Sequence, residues 1–264
     1  AKSMKKKTTT KQPWYAAGNP WVLTQKEWAP ADNIYSETIF TQSNGYMGIR
    51  GYTEETNAGL QSYREGYLGG VFGHIDEAAK KQVKVVPDWP LLSMISLPEI
   101  FGCAITLDGE AFKLSDGKIH SFQRSLDMRN GLLTRVIEWE SKRGNRTRLE
   151  FRRFLSAAVP HLAMQQIKIS ARNWSGPAML QFELDGATPA YFRCGERTLP
   201  HLPQHLLENP RIASGKAGTA TLTVTTRGTG HTVAIASQID GGACAASSPS
   251  PEILSQTVTL DIKK

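Results

Sequence analysis

From about residue 83 onward, apolar and polar positions alternate along the chain. In AMLQFEL, Ala178, Leu180, Phe182 and Leu184 share one phase, while Gln181 and Glu183 take the other. TATLTVTT sets Ala220, Leu222 and Val224 against threonines, and TRLEF sets Leu149 and Phe151 against Arg148 and Glu150. QIKISA and the closing VTLDI repeat the scheme. A period of two marks half-buried antiparallel strands, because successive side chains leave a strand on opposite faces. Asp108-Gly109, Asp116-Gly117, Asn130-Gly131, Gly144-Asn145 and Asp185-Gly186 are turn dipeptides separated by strand-length segments. A helix is predicted only at Asp76–Gln82, with Asp76 as N-cap. The pattern therefore predicts an all-β fold, a large antiparallel β-sandwich with few short helices. One sandwich over residues 21–264 accommodates the strands better than two domains.

Two stretches break the alternation. Residues 1–20 are polar and read as a flexible leader. Residues 186–214 carry Pro189, Pro200, Pro203 and Pro210 without a clean period, which predicts a long irregular loop of functional or interfacial kind.

Charge changes the picture less than its sum suggests. The net charge is +7, but Lys2, Lys5, Lys6, Lys7 and Lys11 all fall in the leader, and without them 26 basic residues face 24 acids. No helix-turn-helix, zinc finger or aromatic RNA-binding signature follows, so no nucleic-acid partner is expected. No apolar run approaches the ~20 residues of a membrane span, and none follows the basic leader as a secretory signal would require. Cys103, Cys194 and Cys244 are odd in number and far apart, which favours reduced thiols and a cytoplasmic setting.

Candidate chemistry is sparse. Phosphate-loop, zinc-helix and nucleophile-elbow motifs are missing, so no cofactor is expected. Cys194, His201 and His205 suggest metal ligands, but Pro203 between the histidines removes the helical geometry that H-x3-H needs. The stretch TQSNGYMGIRGYTEE, residues 41–55, is more unusual. Asn44-Gly45 looks like a hairpin turn, yet Gly48 and Gly51 sit where a strand should carry side chains. Glu54 and Glu55 suggest a glycosidase pair, but neighbours on a strand point to opposite faces and cannot flank one bond. The simpler expectation is a charged strand end that supplies partners for Arg50 or Arg64. Trp14, Tyr15, Trp21 and Trp28 precede this stretch, and Tyr46, Tyr52, Tyr63 and Tyr67 lie in or after it. Such rings either stack on sugars, as in a carbohydrate-binding module, or lock the N-terminal segment onto the sandwich or onto another domain.

Four blocks carry a resemblance. The first contains E-x-x-F, N-G-Y-x-G-x-R-G and paired glutamates, fitted by Glu37, Phe40, Asn44, Gly45, Tyr46, Gly48, Arg50, Gly51, Glu54 and Glu55. REGYLGGVF (64–72), FQRSLDMRNGLLTRVIEW (122–139) and FRRFLSAAVPHLA (151–163) follow in order. Together they resemble the N-terminal domain of glycoside hydrolase family 65, which includes maltose, trehalose, kojibiose and nigerose phosphorylases and related hydrolases. The resemblance implies a galactose mutarotase-like supersandwich, followed in the family by a helical linker and an α/α barrel that holds the catalytic glutamate and the phosphate site. The 264 residues still read as β at their end, so this chain is expected to contain the sandwich and not the barrel. No residue here inherits the acid role. For the intact enzyme the resemblance implies inverting attack of phosphate or water on an α-linked disaccharide. The expected partners are the downstream catalytic domain, that disaccharide, phosphate in a phosphorolytic member, and a second subunit in a homodimer. Asn44, Tyr46, Arg50, Glu54, Glu55 and Tyr67 are the candidate interface or sugar-contact residues. Arg50 is read either as an interface anchor or as half of an ion pair closed within the hairpin.

Overall fold

A computed structural model of the chain describes residues 19–55, 62–75, 92–194, 197–216 and 218–264. Trp14, Tyr15, most of the leader and the helix expected at Asp76–Gln82 lie outside the described residues. Two five-stranded sheets carry the architecture. The first runs in the order β1 (Val22–Gln25), β9 (Lys118–Asp127), β10 (Leu132–Glu140), β11 (Arg146–Leu155) and β12 (Ala163–Ala171). The second orders β19 (Cys244–Ser250), β20 (Ile253–Ile262), β13 (Gly176–Asp185), β7 (Ala104–Leu107) and β8 (Glu110–Ala111). A three-stranded sheet joins β16 (Leu207–Ser214), β17 (Thr219–Thr226) and β18 (Thr232–Gln238), and a smaller one joins β2 (Gln42–Ser43), β3 (Met47–Ile49) and β4 (Gly66–Leu68). Two ribbons complete the set: β5 (Phe72–His74) with β6 (Leu92–Met94), and β14 (Ala190–Cys194) with β15 (Arg197–Gln204). The ladders are antiparallel, as the alternation predicts.

The two large sheets face each other across the main core. Phe122, Ile137, Leu149 and Phe151 from the first meet Ile105, Leu107, Ala178 and Leu180 from the second. Phe112 and Trp139 pack edge to face with centroids 5.3 Å apart. Trp174 reaches the core with its polar edge satisfied, since its Nε1 donates to Thr147 Oγ1 at 2.9 Å. A second core gathers Leu184, Leu222, Val224 and Leu254 beneath the three-stranded sheet. Several turn dipeptides sit where expected. Asp108 and Gly109 close the β7–β8 hairpin with φ of 47° and 80°, the left-handed pair that a tight hairpin turn requires.

Two expectations need correction. A helix that the alternation does not show, α1 (Asn33–Ile39), follows a 3-10 turn at Pro30–Asp32. Proline starts the turn because its φ is already fixed near the helical value. Asn33 Nδ2 then donates to Glu37 Oε1 at 2.9 Å, one helical turn further on. The proline-rich segment 186–214 is not an irregular loop but contains β14, β15 and β16. Its prolines fall where a strand tolerates them. Pro200 and Pro203 are on a two-stranded ribbon with one unpaired side, and Pro210 lies at a register break next to Asn209, whose φ is 53°.

Candidate functional site

The stretch that opens the resemblance folds as a turn, two short strands and a bend laid across one end of the first sheet. Asn44 builds the turn: its Oδ1 accepts from the backbone N–H of Tyr46 (3.1 Å) and Met47 (2.9 Å). Gly45, with φ of 88°, takes the left-handed position. The Asn44 amide also donates to the carbonyls of Ser156 and Pro160, which fixes the turn to the loop between β11 and β12. Tyr46 packs edge-on against His161 of that loop, with centroids 4.1 Å apart.

The two glycines have different reasons. Gly48 pairs with Tyr67 across β3 and β4, and a Cβ there would meet nothing nearer than 3.9 Å. It forms the open floor of a hollow of about 380 Å3 whose walls include Tyr46, Arg50, Glu65, Tyr67 and Met94. Gly51 is the site of close approach. Its N–H donates to the Glu37 carbonyl at 2.7 Å, and an added Cβ would lie 2.5 Å from Phe40 Cβ. The backbone of α1 crosses there.

Arg50 is neither closed within the hairpin nor free. Its Nη2 donates to the Ile34 carbonyl (3.2 Å) and Thr38 Oγ1 (3.0 Å) and lies 3.8 Å from Glu37 Oε2, all on α1. Glu37 is itself fully buried and accepts from Asn33, Ser62 Oγ and the Tyr63 N–H.

Glu54 and Glu55 are not a charged strand end. Both are buried, and both turn to Arg135 on β10. Arg135 Nη1 donates to Glu55 Oε1 at 2.9 Å, and Nη2 donates to Glu55 Oε2 and lies 2.6 Å from Glu54 Oε2. Glu54 occupies a bend, while Glu55 forms a single parallel bridge with Cys103, so the opposite-face rule for strand neighbours does not apply. Arg50 and Arg64 do not take these carboxylates. Arg64 pairs with Glu99 and meets only the backbone carbonyls of Glu54 and Glu55.

Three buried arginines hold the underside. Arg153, on β11, donates to the Arg50 carbonyl (3.0 Å), lies 3.7 Å from Glu54 and stacks on Tyr52 and Phe101. Arg124, on β9, donates to Gln25 Oε1 and the Gly51 carbonyl and stacks on Phe40. Burial would raise the Glu54 carboxyl, but the Arg135 and Arg153 charges outweigh it and hold it below the ordinary carboxylate range. Burial disfavours the Arg135 cation, yet Glu55 and Glu54 more than restore it. Burial also pushes Arg124 down to about 9, assisted by the neighbouring Arg135 charge, because a glutamine and a carbonyl replace a carboxylate partner.

These arginines escape a motif search, though the strands signal them. Arg124 falls in phase with Phe122 and Leu126, Arg135 with Leu133 and Ile137, and Arg153 with Phe151 and Leu155. A charge in the buried phase of a strand requires a buried partner. Glu54 and Glu55 are such partners. All four blocks of the resemblance meet here: α1 and the 44–55 stretch, Arg64, Arg124 with Arg135, and Arg153.

Catalysis asks for something else. A general acid needs a raised pKa and access to substrate. Glu54 has a lowered pKa and lies buried beneath arginines. Trp28 packs against the main core and Tyr52 is buried, so these two rings lock the segment down. Cys194 and His201 lie on β14 and β15 and His205 is exposed beyond them; among the described residues, no cluster of three His, Cys, Asp or Glu could hold a metal. No helix among the described residues is long and apolar enough to cross a membrane.

The geometry defines a β-sandwich domain with an internal arginine–carboxylate layer. The family model for the glycosyl hydrolase family 65 N-terminal domain matches residues 23–264, and the chain belongs to that family. It is 37% identical over 166 residues to a kojibiose phosphorylase of Halothermothrix orenii, covering 63% of this chain and 20% of the relative. It is 30% identical over 183 residues to an α,α-trehalose phosphorylase of Thermoanaerobacter brockii, covering 67% and 23%. A solved structure described as "putative kojibiose phosphorylase from human microbiome" superposes with a TM-score of 0.75 at 18% identity, over 93% of this chain and 30% of that one, and shares the fold. The chain thus spans about a fifth of the length of the curated relatives it matches.

Proposed function

We propose that residues 21–264 act as the non-catalytic N-terminal sandwich of a cytoplasmic family 65 disaccharide phosphorylase or hydrolase, supporting a downstream catalytic barrel and subunit contacts. In the whole enzyme, phosphate or water attacks the anomeric carbon of an α-linked disaccharide with inversion. The carrying observation is that the conspicuous carboxylates of the motif, Glu54 and Glu55, are buried against Arg135. The length of the relatives agrees, since this chain matches about a fifth of them. The test is to incubate the purified chain with kojibiose or trehalose, with and without inorganic phosphate. No free hexose above a buffer control and no phosphate uptake are expected. Turnover abolished by Glu54→Gln in a folded variant would contradict the reading.

One observation favours a second reading. Tyr46 and Tyr67 share a hollow with Arg50 and Glu65, a combination suited to a sugar ring and its hydroxyls. A carbohydrate-binding module would give calorimetric saturation with kojibiose or trehalose that Tyr67→Ala removes.

A further inference from the structure

The hollow over Gly48 continues into an exposed apolar surface. Phe72 and Met94 are cross-strand neighbours on the β5–β6 ribbon, and Leu92 shares their face; all three are exposed. Met94 also walls the hollow together with Tyr46 and Tyr67. On the far side, Tyr46 packs on His161, next to exposed Leu162. Scattered surface hydrophobics need no explanation, but a connected apolar face flanking a hollow marks a contact surface.

The shape of this face restricts its occupant. A second copy docked about a two-fold axis would seat the ribbon of each copy against the hollow of the other, a contact that strengthens with concentration. A sugar could fill the hollow but would not cover the ribbon. A continuous polypeptide surface can do both, and the relatives carry about four-fifths of their length beyond the matched part. We propose that this face, from Leu162 through the Gly48 hollow to Phe72 and Leu92, is where the rest of the same polypeptide packs. The inference rests on the scaffold reading above and names the surface that such a scaffold uses.

Methionine oxidation tests it, because the rate follows exposure of the thioether. Met94 is 45% exposed, Met128 43% and Met179 39%, so the three begin level, and they lie on different parts of the fold. The natural protein at its full length is oxidised with dilute peroxide beside the 264-residue chain, and each methionine is quantified by peptide mass. The expected result is Met94 slowed about tenfold in the longer protein, with Met128 and Met179 unchanged. Protection at Met128 or Met179 equal to or greater than that at Met94 would overturn the assignment of this face while leaving the scaffold reading in place. Protection at none of them would likewise overturn this face alone, whereas a natural protein no longer than this chain would overturn both. Slow Met94 oxidation already in the chain alone, growing with its concentration, would identify a second copy and overturn the proposal.

Discussion

Glu54 carries a clear pH signature. Its folded carboxyl titrates below the ordinary value of 4.5 because Arg135 and Arg153 outweigh the cost of burial. Below pH 4.5 the unfolded chain therefore binds a proton that the folded chain refuses, and stability falls as pH drops through 4.5 and on through the folded value. Urea midpoints measured between about pH 3 and about pH 7 should fall more steeply on acidification for the wild-type chain than for Glu54→Gln. Parallel slopes would mean that Arg135 does not hold the ionised form. The same layer shows what a sequence reveals at this scale. Arg124, Arg135 and Arg153 are visible as charges in the apolar phase of their strands. Which group each one meets is not visible, because the partners come from segments 73 to 103 residues away whose approach only the folded chain defines.

At the scale of elements, α1 is held to the small sheet by a backbone crossing and by one arginine. Gly51→Ala should cost about 3 kcal/mol or more, since its Cβ would collide with the backbone and Cβ of Phe40. Gly48→Ala, whose Cβ would meet nothing nearer than 3.9 Å, should stay within about 0.5 kcal/mol. Equal urea midpoints for the two variants would remove the crossing from the account. Arg50→Ala breaks the contacts to Ile34 and Thr38 on α1 and should cost about 1–2 kcal/mol in this chain alone. An unchanged melting temperature here, with loss of assembly in the longer protein, would instead make Arg50 an interface anchor. The long strands were legible because one apolar face on a period-two backbone leaves few alternatives. Seven-residue α1 was not, since it is too short to show an apolar stripe and its marks are local: Pro30 at the start and Asn33 bonded to Glu37. The 186–214 strands were hidden for a different reason. Proline removes the donors and the alternation by which a strand is recognised, while an edge or a bulge accepts it.

For the whole molecule, the central claim is that the family's motif residues form an internal clamp between the segment around 33–68 and the sandwich. The clamp is polar where the two main cores are apolar, and its segment touches the core beneath the three-stranded sheet through Leu68, whereas Arg124, Arg135 and Arg153 lie on the first sheet. Loosening it should therefore free one region and spare the other. Arg135→Lys keeps the charge but loses the two-pronged contact with Glu55. Hydrogen exchange followed by mass spectrometry on the wild-type and Arg135→Lys chains measures this directly. The account predicts faster exchange at the pinned amides of Gly51 and Cys103, whose N–H groups donate to the carbonyls of Glu37 and Glu54, while β17 keeps its protection. Unchanged exchange at these amides, or an equal loss across β17, would contradict it.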